Sequence, residues 1–215
     1  MLYDKIKKSL EQSEFFLSLC ELEKNTQIYH LNQSARPLVV AHIWDKSKKD
    51  IVIVSQDDII AEDIWDDLVT LIGKENAFYL PDYEILPYEE RSPHYSIRAT
   101  RMLTIVNALT NLDSDATQNP AVYSLSIRSL LRYLPAGYSI SKHIFRIKSG
   151  DYLDPDVLMK KLQMMGYDIE YQVTKVYQAA RRGGIIDVFS PSSERPIRIE
   201  FWGDEIVSVR YFSAN

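Results

Sequence analysis

Pro196-Ile197-Arg198-Ile199-Glu200-Phe201-Trp202, then Gly203-Asp204, then Glu205-Ile206-Val207-Ser208-Val209-Arg210-Tyr211-Phe212, reads as two strands joined by a tight turn. A Gly-X pair suits a two-residue type II′ turn, whose twist matches paired strands. Side chains alternate along a strand, so Ile197, Ile199 and Phe201 share one face and Arg198, Glu200 and Trp202 the other. The apolar trio needs cover, which turns the Arg/Glu/Trp face outward. Working back from this hairpin, residues 185–189 form a strand after the break at Gly183-Gly184, and residues 169–173 alternate. Asp154-Pro155-Asp156 starts a helix, with a side-chain cap, proline in the first turn and an early acid. That helix runs to Met165, with Gly166 just beyond it. Residues 143–148 alternate as a half-buried strand. Residues 138–215 are therefore expected to form a small α+β domain, one helix on a mostly antiparallel sheet.

Further upstream the rhythm changes. Residues 4–23 read as an amphipathic helix, with Ile6, Leu10, Phe16 and Leu17 among its apolar positions. Residues 27–31 read as a short strand and residues 35–44 as a helix whose first turn holds Pro37. Ile51-Val52-Ile53-Val54 is a continuous apolar run, which suits a strand of a parallel sheet buried on both faces. Asp57 or Ser55 can cap a helix through Leu71 that ends at Gly73. A strand at 77–80, a turn-rich loop at 81–93, a helix at 97–110, a polar loop at 111–120, a strand at 121–125 and a helix at 127–134 follow. This alternation predicts an α/β domain over residues 1–137, a parallel sheet covered by helices, with Pro135-Ala136-Gly137 as the boundary.

The 215 residues are 46% apolar and 26% charged, a soluble globular composition. A chain this long buries a core without disulfides or metals. The lone Cys20 has no partner within the chain, which fits a reducing cytoplasm. No apolar run approaches the ~18 residues of a membrane span, and the charged N-terminus lacks a signal-peptide apolar region. The net charge of −5 is uneven: residues 1–137 sum to −6 and residues 138–215 to +1, with five arginines between Arg181 and Arg210.

Catalytic constellations are missing. The position after the strand at 27–31 is where a nucleotide-binding α/β domain places its phosphate loop. That loop needs glycines for close backbone approach, a lysine for the phosphates and a Ser/Thr for Mg²⁺. Asn32-Gln33-Ser34-Ala35-Arg36 offers none of this except an isolated serine, so no ATP hydrolysis is expected here. Asp82, Glu84, Glu89, Glu90 and His94 crowd one loop. Their reading as an acid–base or metal site competes with a solvated acidic loop over Tyr83, Tyr88 and Tyr95, and without a second ligand cluster the latter is favoured. His30, His42 and His143 are isolated. Asp57-Asp58 and Asp66-Asp67 are expected on a solvated helix face. No catalytic or metal-ligating residue is assigned.

The hairpin's outer face carries the functional expectation. A tryptophan in register with an arginine on an exposed sheet is poor surface design unless a partner covers it, and both residue types are enriched in interface hot spots. The competing reading is a local stack of Arg198 on Trp202, or cover by the neighbouring domain. Arg181-Arg182 would extend the patch. Glu200, Asp204 and Glu205 interrupt its positive field, which favours a protein of mixed charge over a nucleic-acid backbone.

Arg182-Gly183-Gly184-Ile185-Ile186-Asp187-Val188-Phe189, followed by Pro196-Ile197-Arg198-Ile199-Glu200-Phe201-Trp202-Gly203-Asp204-Glu205-Ile206, resembles the RGGIIDxF…PxRIEFFGDEI signature of the transcription-repair coupling factors. Leu80-Pro81-Asp82-Tyr83-Glu84-Ile85-Leu86-Pro87-Tyr88-Glu89, with Ser92-Pro93-His94, resembles that family's (P)DxExLPYxxxSPH loop. The resemblance implies a region like the first two domains of the excision-repair helicase UvrB: a degenerate helicase-like α/β domain without its phosphate loop, then a small domain that binds UvrA. It implies UvrA contacts at Arg182, Arg198 and Trp202, with Arg181 and Glu200 as further candidates, and no cofactor in this region. The parent would be an ATP- and Mg²⁺-dependent translocase that meets RNA polymerase and double-stranded DNA through other domains. Residues 81–93 run straight into the next helix and leave no room for UvrB's long DNA-clamping hairpin. Trp202 stands where the family usually has Phe, and Tyr177 where it usually has Gly. A UvrB-like helicase fragment and a nucleic-acid-binding module are the alternatives.

Overall fold

The computed structural model describes residues 2–19, 25–86, 88–113, 120–134, 137, 140, 143–193 and 195–213. Cys20, Pro87, residues 114–119 and the boundary residues Pro135 and Ala136 lie outside them. The chain forms two compact units, Met1–Glu84 with Asn107–Leu134, and Ile85–Val106 with Pro135–Asn215.

The first unit is an α/β layer. β1 (Ile51–Ser55), β2 (Ala77–Leu80) and β3 (Val122–Ser126) make a parallel sheet in the order β1-β3-β2. Helices α1 (Leu2–Leu10), α2 (Glu14–Ser18), α3 (Arg36–Ser47) and α4 (Asp58–Ile72) precede or connect these strands. Then come α5 (Tyr95–Asp113), which contributes to both units, and the short α6 (Ile127–Leu130). The Asp57 carboxylate caps α4 by accepting from the Ile60 N–H. Tyr3, Ala41, Trp44, Leu68, Ile72 and Val122 form the buried core. Asp82, at the end of β2, is 3% exposed and takes a bidentate bond from Arg132, while its N–H donates to Asp58. It is a structural tie between the β2, α4 and α6 ends. Tyr88, expected beneath the acidic loop, is 98% exposed instead.

Three sequence expectations fail here for related reasons. Residues 27–31 are not a strand; they are half-buried to exposed, and among the described residues no strand offers them a ladder. Residues 4–23 are not one helix, because the chain breaks after Leu10 and restarts at Glu14. β1 is not covered on both faces: it is the sheet's edge, and Val52 and Val54 stay exposed while Ile51 and Ile53 pack on the core. Phosphate-loop geometry is replaced by a single 3₁₀ turn at Gln33–Ala35 that runs directly into α3.

His42 is fully buried on α3, bonded through Nδ1 to the Tyr3 hydroxyl at 2.9 Å and edge-on to Phe16. Burial lowers its pKa below the ordinary 6.5; a backbone hydrogen bond with Phe16 opposes this most, Lys46 nearby adds to the lowering, and Asp45 and Glu11 oppose it further. A base whose folded pKa is depressed binds fewer protons folded than unfolded, so stability falls as pH drops below 6.5. Thermal midpoints measured from pH 8 to pH 5 are expected to decline on the acid side of 6.5, with a shallower decline for His42→Gln.

The second unit is a mixed five-stranded sheet, β4 (Asp168–Ile169), β5 (Gln178–Arg182), β6 (Ile185–Val188), β7 (Ile197–Trp202) and β8 (Glu205–Tyr211), in sequence order. β4–β5 is parallel and the rest antiparallel. Helix α7 (Pro155–Met164) is capped by the Asp154 carboxylate, which accepts from the Asp156 and Val157 N–H groups. Leu158 and Leu162 of α7 meet Ala179, Ile186, Val188, Ile199, Phe201 and Ile206 in one core. Gly203, at φ 61°, starts the β7–β8 turn, and Asp204 has no positive φ, as type II′ requires. Residues 143–148 form no strand, and of the alternation at 169–173 only Ile169, the second residue of β4, is in a strand.

Among the described residues, no helix is long and apolar enough to cross a membrane.

Candidate partner-binding face

Strand register sorts the outer face into rows. Ala180, Asp187, Arg198 and Arg210 lie opposite one another across β5 to β8. Arg182, Ile185, Glu200 and Ser208 form the next row, two residues along each strand. Trp202 and Glu205 form a third. Directly opposed residues share a face at close range. The opposite face is the core, where Ile199 and Phe201 are 2% and 8% exposed.

Asp187 organises the arginines. It sits in the apolar run of β6 and is 2% exposed. Arg198 grips it with both prongs, Nε to Oδ1 at 2.7 Å and Nη2 to Oδ2 at 2.8 Å. Arg182 reaches diagonally to the same Oδ2 at 2.8 Å. Burial alone would raise the Asp187 pKa, but the bonds from Arg198 and then Arg182 outweigh it and hold the carboxyl below its ordinary value. The bond to Asp187 likewise raises the Arg198 pKa. Two guanidiniums and one carboxylate leave this cluster with a net single positive charge. Each fork keeps N–H donors that Asp187 does not use.

The other candidates fall out as follows. Trp202 is 81% exposed. Arg198 does not stack on it; the guanidinium lies 4.7 Å from the Phe212 ring centroid instead. The four-residue step from Arg198 to Trp202 is about 13 Å along a strand, whereas Phe212 follows directly on β8. Glu200 is paired with Arg210. Arg181 leaves the patch: its side chain turns toward α7, where it pairs with Asp156 and donates to the Gly183 carbonyl at 3.3 Å. Period 2 explains this, since Arg181 shares a face with the core residue Ala179 and Arg182 does not.

Local backbone chemistry fixes these positions. A Cβ on Gly184 would lie 2.8 Å from the Phe201 carbonyl oxygen, so only glycine lets β6 start this close to β7. Tyr177 takes φ 66°, the left-handed region that glycine adopts without strain. Its ring packs edge-on to Tyr167 and beneath the Arg98 guanidinium at 5.5 Å, contacts a glycine would lack. The departure from the family pattern thus keeps a glycine-like conformation before β5. Among the described residues, no group of His, Cys, Asp and Glu could hold a metal ion.

Residues 145–215 match the family model described as the UvrB interaction domain, which covers all five strands and α7. The chain as a whole matches the N-terminal region of transcription-repair coupling factors. It is 27% identical over 216 residues to the Bacillus subtilis protein of that name, across 99% of this chain and 18% of that protein. It is 32% identical over 188 residues to the Myxococcus xanthus one (85% and 15%) and 28% identical over 185 residues to the Escherichia coli one (86% and 15%). The chain therefore spans less than a fifth of the length of these relatives.

Proposed function

We propose that this chain is a recruitment module of a transcription-coupled repair factor, docking the excision-repair protein UvrA on the outer face of β5–β8. The observation that carries this reading is the Asp187-held pair Arg182 and Arg198 on the same face as the exposed Trp202. The arginine pair offers fixed, forked donors to a carboxylate on UvrA, and Trp202 fills an apolar site beside it. The UvrB interaction domain over residues 145–215 supports UvrA as the partner. The first unit acts as a scaffold, a helicase-like α/β domain without a phosphate loop. The segment from Asn32 to Arg36 supports this with its lack of glycine and of a Lys-Ser/Thr pair. ATP binding, DNA translocation and contact with RNA polymerase belong to other parts of the parent protein.

Asp187, Glu200 and Glu205 on the same face oppose a nucleic-acid reading, because they dilute the positive field a phosphate backbone needs. Calorimetric titration of UvrA with this chain tests the proposal. Saturable binding with modest salt dependence is expected. Absence of binding to UvrA, together with steeply salt-dependent binding to DNA, overturns it.

A further inference from the structure

We propose that Tyr152 is a further contact residue for UvrA, extending the docking face beyond Trp202 across the β7–β8 hairpin. This rests on the reading of that face given above. Tyr152 precedes α7 and pairs with Glu205 in an antiparallel bridge, while Glu205 pairs with Trp202. Trp202, Glu205 and Tyr152 therefore form one row on one face, with the two rings flanking the carboxylate. Tyr152 and Trp202 are 77% and 81% exposed. A single exposed aromatic needs no explanation, but two in one row beside an arginine pair make an apolar patch with a charged border.

The backbone under Tyr152 is rigidly tied. Gly150 N–H donates to the Ile206 carbonyl at 2.8 Å, Ile206 N–H to the Asp151 carbonyl at 2.9 Å and Leu153 N–H to the Asp204 carbonyl at 2.8 Å. Ser149 Oγ donates to the Val207 carbonyl at 3.0 Å, and the Asp151 carboxylate accepts the Lys148 N–H at 2.9 Å. The ring is thus presented on a fixed frame, where little conformational freedom is left to lose on binding. The Tyr152 hydroxyl lies 3.5 Å from Glu205 Oε2, a loose contact that leaves it accessible to a partner.

The row fixes the chemistry of the partner surface. Opposite the singly positive Asp187 cluster it presents a carboxylate. Opposite Trp202 and Tyr152 it presents an apolar patch, with a basic group facing Glu205 between them. The occupant this proposal commits to is UvrA, on the strength of the UvrB interaction domain match over residues 145–215.

The test is titration of UvrA with the whole chain, comparing wild type, Trp202→Ala, Tyr152→Ala and Tyr152→Phe, with thermal midpoints measured alongside. Tyr152→Ala is expected to bind about 5- to 10-fold more weakly at an unchanged midpoint, and Tyr152→Phe within about twofold of wild type. Wild-type affinity for Tyr152→Ala while Trp202→Ala is weakened overturns the Tyr152 inference alone. So does a Tyr152→Phe variant as weak as Tyr152→Ala, or a loss that follows a fallen midpoint. Wild-type affinity for Trp202→Ala as well overturns the docking face itself.

Discussion

Replacing Asp187 with alanine is expected to destabilise the chain by about 3–5 kcal/mol, the largest stability effect of any outer-face substitution. Asp187 is buried and accepts three bonds from two arginines. Removing it leaves two guanidiniums close together with no counter-charge, beside a cavity in the β6 row. A domain is typically stable by about 5–15 kcal/mol, so a loss of this size removes a large fraction of the total. Asp187→Asn keeps the shape and one acceptor and should fall between. Chemical denaturation of the three proteins measures this, and a loss below about 1 kcal/mol for the alanine variant contradicts it. The pH dependence has a definite sign. Because the folded Asp187 pKa is depressed, its stabilisation is complete above the ordinary carboxylate value and is lost as pH falls through the folded one. The alanine variant should lack that part of the acid-side loss.

Arg198→Ala is expected to weaken UvrA binding by about 2 kcal/mol, roughly 30-fold. It removes the guanidinium that both grips Asp187 and lies over Phe212, so the free donors proposed to meet the partner vanish with their support. Part of the effect appears as lowered stability, since Asp187 keeps only Arg182. The titration therefore belongs well below the variant's own thermal midpoint. Arg198→Lys keeps the charge but not the fork, and a point-charge ammonium cannot bond both Asp187 oxygens while offering donors outward. Its affinity should lie nearer to alanine than to wild type. Full affinity for the lysine variant would show that charge alone matters at this position.

The hairpin was legible because two independent patterns agree on it. Period 2 places Ile199 and Phe201 inside, and Gly203-Asp204 supplies the turn. Arg181 and Arg182 are neighbours in sequence yet opposed in space, and the same period separates them once Ala179 is known to be core. Asp187 left only a faint trace: one acid within Ile185-Ile186-Asp187-Val188. A buried carboxylate needs partners, but the strand register that supplies Arg198 and Arg182 is a tertiary fact. Tyr152 was hidden for the same reason, since it lies outside any predicted strand and meets Glu205 only through the fold. Residues 27–31 and 143–148 erred the other way. The first read as a short strand and the second as an alternating one, but a strand forms only where a neighbour offers a ladder.

In the proposed docking, the outer face of β5–β8 meets UvrA through its exposed aromatic and its braced arginines. Trp202→Ala tests this most directly, because an 81% exposed residue can be truncated with little effect on the fold. Calorimetric titration of UvrA should give an affinity roughly 30-fold below wild type at an unchanged thermal midpoint. Equal affinities for Trp202→Ala and wild type would contradict the account.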